Sequence, residues 1–162
     1  TDKMMYKTHL LFAFLVGLFL VQEMNFNSIF FIFLVLVSSF IPDIDTSNSK
    51  IGREFRVSSF VLNKLFSHRG FFHSLLLPLL FYFLFRFLVD YNQVAMAIFS
   101  GTSSHLFLDL MTKEGISLFA PFSKIRIRGF IRTNGLLEKI FFVVLLFLVV
   151  FLIAQKFFLS LF

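Results

Sequence analysis

Leu136 to Gln155 reads LLEKIFFVVLLFLVVFLIAQ, and this stretch decides which solvent the fold requires. From Ile140 to Ala154 it carries no polar side chain. A helix needs about 20 predominantly apolar residues to cross a bilayer core, and this segment supplies them. The rest of the chain agrees. Of 162 residues 58% are hydrophobic, 29 are phenylalanine, and the mean hydropathy is +0.89. A domain of this size keeps much of its surface in contact with solvent, so that many large apolar side chains need lipid around them.

Working outward, four further apolar stretches satisfy the same reading: Thr8 to Val21, Ser28 to Ile41, Phe71 to Val89 and Val94 to Met111. The expected fold class is an all-α integral membrane protein with about five transmembrane helices. The first stretch follows lysines as a signal sequence does, but no small-residue cleavage site comes after it, so it is read as a retained span. No internal repeat or linker divides the chain, and 1–162 is expected to form a single membrane-embedded domain.

The connections alternate in character. Gln22 to Asn27 and Asp90 to Gln93 contain no Lys or Arg, whereas Asp43 to Gly70 and Thr112 to Gly135 are long and basic. With five spans, 13 of the 15 basic residues fall on the amino-terminal side, leaving Arg86 and Lys156 opposite. The positive-inside rule then places the amino terminus and both long loops in the cytoplasm. The net charge of +6 sits beside the spans, where anionic headgroups are nearer partners than nucleic acid. No nucleic-acid role is expected. In the first loop, Ile51, Phe55, Leu62, Leu65 and Phe66 recur near helical spacing, which predicts an interfacial amphipathic helix. In the second, Lys124-Ile125-Arg126-Ile127-Arg128 alternates with period two, which predicts a short basic surface hairpin.

The ionisable residues gather on this map. His9 opens the first span, Asp43 and Asp45 close the second, His68 and His73 bracket the start of the third, and His105 and Asp109 end the fourth. All four histidines of the chain are in that set, and all seven residues fall at one membrane face. His105 and Asp109, four apart, share one helix face. Asp43 and Asp45 follow Pro42, which interrupts regular structure, and Gly70 lets His68 and His73 converge. A single intramembrane histidine or aspartate is often a structural hydrogen-bonder between helices; a cluster marks a site. With no cysteine in the chain, ligands are limited to nitrogen and oxygen. That donor set suits zinc first and manganese second.

Seven ligands exceed one tetrahedral site, so two divalent ions are expected, bound by His9, Asp43, Asp45, His68, His73, His105 and Asp109. Asp45, Asp109 and Arg69 are the expected catalytic residues, Arg69 as a fork for phosphate. Glu114 and Glu138 are read as helix-end residues, Glu138 lying near enough to serve as an outer base. The chemistry expected is hydrolysis of a lipid phosphoester by metal-activated water. A divalent-metal transporter or a metal-binding membrane protein without hydrolytic activity is the alternative, and a scaffold held by ion pairs is a third.

At these residues the sequence resembles the YdjM-like family of inner-membrane metal-dependent hydrolases. The matching stretches are Thr8-His9, Phe40 through Asp45 (FIPDID), His68 through Ser74 (HRGFFHS), Ser104 through Asp109 (SHLFLD), and Gly115 through the Ala120-to-Ser123 segment APFS. The resemblance implies a divalent-metal hydrolase of the inner membrane. A more distant likeness is to zinc-dependent phospholipase C, which also uses a His-x-x-x-Asp helix pair. This chain lacks that enzyme's further His-x-x-x-Glu pair, and with it part of a three-metal ligand set. No His-Glu-x-x-His or Gly-x-Ser-x-Gly motif is present, which argues against a zincin or a serine hydrolase.

Overall fold

The structure, a computed structural model, describes residues 6–24, 28–45, 71–88 and 90–159, with Ser28, Ile44, Asp45 and Leu159 described by their backbone alone. Among the described residues the elements in order are α1 (Tyr6–Met24), α2 (Ser28–Ser38), a 3-10 turn (Ile41–Asp45), α3 (Leu76–Phe87), α4 (Asn92–Met111) and α5 (Leu136–Leu159). The interfacial helix expected around Ile51 to Phe66 lies outside the described residues.

Among the described residues the expected five spans reduce to three. Helices α1, α4 and α5 contain 19, 20 and 24 residues and are long and apolar enough to cross a bilayer. Helices α2 and α3 contain 11 and 12 residues, about 17 and 18 Å at 1.5 Å per residue, against a hydrocarbon core of about 30 Å. The physical reasons are local. The second apolar stretch stops being α-helical at Ser38, where Ser39 and Phe40 turn the chain into the 3-10 segment. The third has its first five residues, Phe71 to Leu75, in turns. A helix begun earlier would set the Pro78 ring against the Ser74 carbonyl, four residues back, and the Leu75 amide donates to Leu118 O at 2.9 Å rather than entering a helix.

The expected hairpin is also overturned, and no β-hairpin is present among the described residues. Ile127 exchanges both backbone hydrogen bonds with Ile116, at 2.9 and 3.1 Å, but this antiparallel bridge is isolated. The period-two alternation along Lys124 to Arg128 does not produce a hairpin, because Ile127 is the one residue of that segment that pairs. The pairing residue is eleven positions upstream (127 − 116), across the turn at 118–122.

Small residues set how closely the helices approach. In α1 the buried row is His9, Ala13, Gly17 and Val21, and in α4 Ala97, Gly101, His105 and Asp109. Each row repeats every four residues, so it forms one face. Ala13, Val21 and Ala97 pack with Phe31 and Val35 of α2 in one apolar cluster. A Cβ at Gly101 would collide with Ser38 Oγ and the Val35 carbonyl. Small-residue contacts of this kind are how helices associate in lipid, where apolar side chains gain little by meeting one another. Ser38 Oγ donates to Ala97 O at 3.2 Å, which fixes α2 against α4. Helix α3 packs on α4 with Tyr82 and Phe99 rings 5.6 Å apart. Helix α5 meets the bundle along α1 and leaves much of its apolar surface outward.

Candidate metal centre

Both small-residue rows end in ligand-type side chains at the same end of the bundle. Helix α1 begins at that end and α4 finishes there, so His9 meets His105 and Asp109 as soon as the helices close. Helix α4 stops immediately afterwards. Thr112 Oγ1 donates to the Asp109 carbonyl at 2.7 Å, and Thr112 itself is extended, with φ −79° and ψ 154°. Asp43 arrives from the 3-10 turn after α2, with buried Pro42 beside it and its amide donating to Phe40 O at 3.0 Å. His73 arrives from the turn before α3, held by Ser74 Oγ donating to Phe71 O at 2.7 Å.

Asp109 is the hub. His9 Nε2 lies 3.6 Å from its Oδ1, and His73 Nε2 and His105 Nε2 each lie 3.5 Å from its Oδ2. The same two imidazole nitrogens of His73 and His105 lie 3.9 Å from Asp43 Oδ1. The side chains of His9, His73, His105 and Asp109 are buried, and that of Asp43 is about one fifth exposed. His9 and His105 stack, with ring centroids 4.1 Å apart, and His73 meets His105 edge-on at 6.0 Å. Two triads result, His9–His105–Asp109 and Asp43–His73–His105, each with ligand atoms within 4.8 Å of one another. They share His105.

The donor set fits a divalent ion. Two ligands each about 2.0–2.1 Å from a tetrahedral ion stand roughly 3.3–3.4 Å from each other, close to the three shortest imidazole–carboxylate separations. Buried carboxylates gathered at a membrane boundary are costly without neutralisation, and a cation among the imidazoles supplies it. Of the seven ligands expected from sequence, the structure gathers His9, Asp43, His73, His105 and Asp109. Asp45 stands in the same 3-10 turn as Asp43, with its side chain undescribed. His68 and Arg69 lie outside the described residues.

One residue has a larger part than its sequence position suggests. Glu138, read as a helix-end residue, is completely buried. Its Oε1 accepts from Thr8 Oγ1 at 3.2 Å and its Oε2 from the Asn134 amide at 2.5 Å. The first turn of α5 is thereby tied to the residue preceding His9. The signal was available: an acidic side chain at the head of a long apolar run must find partners. Glu114, by contrast, is exposed.

A protein-family model described as YdjM inner membrane protein matches residues 4–161. The chain is also similar to a protein of Bacillus subtilis (strain 168) described as "Uncharacterized protein YvsG". The two are 35% identical over 105 residues, 64% of this chain and 66% of that protein, just under two thirds of its length. No solved structure matches.

Proposed function

The chain belongs to the YdjM inner membrane protein family, and from that premise we propose that it holds divalent metal at one membrane face through His9, Asp43, His73, His105 and Asp109. It is a multi-pass inner-membrane protein with His/Asp clusters suited to metal. One observation carries the reading. Imidazoles from three separate segments surround the Asp109 carboxylate at 3.5–3.6 Å, a convergence that helix packing alone does not require. Oδ1 faces His9 while Oδ2 faces His73 and His105, which supports a carboxylate shared by two ions. Because His105 belongs to both triads, Asp45 and His68 complete the ligand set in this reading. Zinc is the first candidate and manganese the second, given imidazole with carboxylate and no thiolate. Metal analysis of the protein extracted in mild detergent tests the reading: at least one equivalent is expected in the wild type and less in Asp109→Asn. Equal, trace metal in both would sink it.

A narrower proposal concerns what the centre does: it hydrolyses a phosphoester of a membrane lipid. Supporting it is the position of the ligands at the ends of α1 and α4, where headgroups lie. A divalent ion bound there supplies Lewis acidity, lowering the pKa of water and polarising a phosphoryl oxygen. In this reading Asp109 and Asp45 orient the reacting water and Arg69 holds the phosphate. Residues 1–162 act as one domain, with the amino terminus and the site on the cytoplasmic side, as the basic loops suggest. Hydrolysis of a phospholipid panel by wild type and Asp109→Ala tests the chemistry; undiminished turnover in the variant would count against it.

Transport of the metal is the rival use of the same ligands. Along α4, the hydroxyls of Ser100, Thr102 and Ser104 donate to carbonyls of their own helix, at 2.6, 2.6 and 2.8 Å. They are engaged locally, which favours a fixed centre over a permeation path. Metal flux into liposomes carrying the protein, without lipid turnover, would favour transport instead.

A further inference from the structure

The loop joining α4 to α5 is built unlike a solvated connection. Phe122, Ile125 and Phe130 are 86%, 72% and 66% exposed, and the exposed Lys124, Arg126 and Arg128 are interleaved with them. Counting from Thr112 to Gly135, five basic residues stand against one acidic residue, Glu114, for a net charge of +4 (5 − 1). A water-facing loop does not need large aromatic side chains, and clustered exposed apolar groups mark an interaction surface. The interleaved charge specifies its chemistry. Apolar side chains that enter an interface and cations that meet anionic headgroups are the two components of peripheral lipid binding.

The loop is also held at the correct height. Its backbone is tied to the end of α4 by Ile131 N donating to Met111 O at 2.9 Å and Gly129 N donating to Thr112 O at 2.8 Å. It is tied to the turn carrying His73 by Leu75 N donating to Leu118 O at 2.9 Å. Gly129 presses against the Met111 carbonyl so closely that any Cβ there would collide. A segment clamped at the end of the α4 span and against the turn before the shorter α3 lies on the face that holds the His/Asp cluster.

We infer that the 119–130 segment is a docking surface for the anionic bilayer itself, with Phe122, Ile125 and Phe130 entering the interface and Lys124, Arg126 and Arg128 binding headgroups. The inference stands apart from the metal reading, since none of these residues is a proposed ligand.

The chain contains neither tryptophan nor cysteine, so Phe122→Trp makes a single reporter at an exposed position. The full chain carrying it is placed in nanodiscs of phosphatidylcholine alone or with increasing phosphatidylglycerol, some with brominated acyl chains. Quenching by the brominated lipid is expected to rise with phosphatidylglycerol. Adding Lys124→Gln, Arg126→Gln and Arg128→Gln should raise the phosphatidylglycerol fraction for half-maximal quenching by about fivefold or more, since each basic side chain near an anionic surface contributes a comparable factor. Added salt should weaken the response. Water-like, unquenched emission in every disc would overturn the inference. So would quenching that ignores both phosphatidylglycerol and the three charges. If the reporter is unquenched in discs but shielded in native membranes, a protein occupies this surface and the lipid assignment is wrong. Phe130→Trp repeats the test should Phe122→Trp fold poorly.

Discussion

His9 and His105 stack at 4.1 Å between ring centroids, with their planes 25° apart, and both present Nε2 to the carboxylate of Asp109. Of the two, only His105 belongs to both ligand triads. His105→Ala is therefore expected to weaken metal binding more than His9→Ala or His73→Ala. Loss of an outer partner alone typically costs about 10–100-fold in affinity, so loss of the shared ligand should exceed roughly 100-fold. Competition titration against a metal-sensitive dye measures all three, and equal, small effects would contradict a shared ligand.

Metal removal should destabilise the protein reversibly. A ligand that binds the folded state stabilises it according to its excess over Kd, by about 2.7 kcal/mol at 100 Kd. Chelation of the detergent-solubilised wild type should lower Tm, and readdition of zinc or manganese should restore it. Asp109→Asn is expected to show little response to either step. A wild-type Tm indifferent to chelator and metal would argue for a scaffold held by ion pairs.

The two helix-packing glycines should differ sharply. A Cβ at Gly101 collides with Ser38 Oγ and the Val35 carbonyl, whereas one at Gly17 meets only ordinary contacts, the nearest being Ile32 at 3.5 Å. Gly101→Ala is expected to lower stability by about 1–3 kcal/mol, the usual penalty of overpacking. Gly17→Ala should lie within about 0.5 kcal/mol of wild type. Thermal unfolding in detergent distinguishes them, and similar losses at both positions would show that α2 and α4 are not in close backbone contact at Gly101.

Glu138 ties α5 to the residue before His9. Glu138→Ala removes the hydrogen bonds to Thr8 and Asn134, expected to cost about 2 kcal/mol, and should also weaken metal binding by loosening α1. Thr8→Val should act in the same direction with a smaller effect on stability, because the Asn134 bond survives. If Glu138→Ala lowers Tm but leaves metal affinity untouched, the residue anchors α5 and has no influence on the centre.

Some features of the fold were legible because they depend on local composition or spacing. The apolar run of α5 needs lipid wherever it sits, and the four-residue interval between His105 and Asp109 puts them on one face of any helix. Other features were not. Apolar length suggested that Ser28 to Ile41 and Phe71 to Val89 would cross the bilayer, but hydropathy does not register where a helix stops, and both helices proved too short. Alternation in Lys124 to Arg128 suggested a hairpin, whereas Ile127 alone of that segment pairs, with Ile116 across the turn at 118–122. The burial of Glu138 was missed because its partner Thr8 is 130 residues away.

Taken alone, the amino-acid sequence determined a helical membrane protein with nitrogen and oxygen ligands concentrated toward one face, since both follow from which side chains tolerate lipid and in what order they occur. Tertiary structure decided that three helices among the described residues are long enough to cross, that His9 and His73 reach the Asp109 carboxylate while Asp43 reaches His73 and His105, and that Glu138 is buried against α1. Those outcomes depend on how closely small residues let separate helices approach, a property of pairs of surfaces that no single stretch of chain contains.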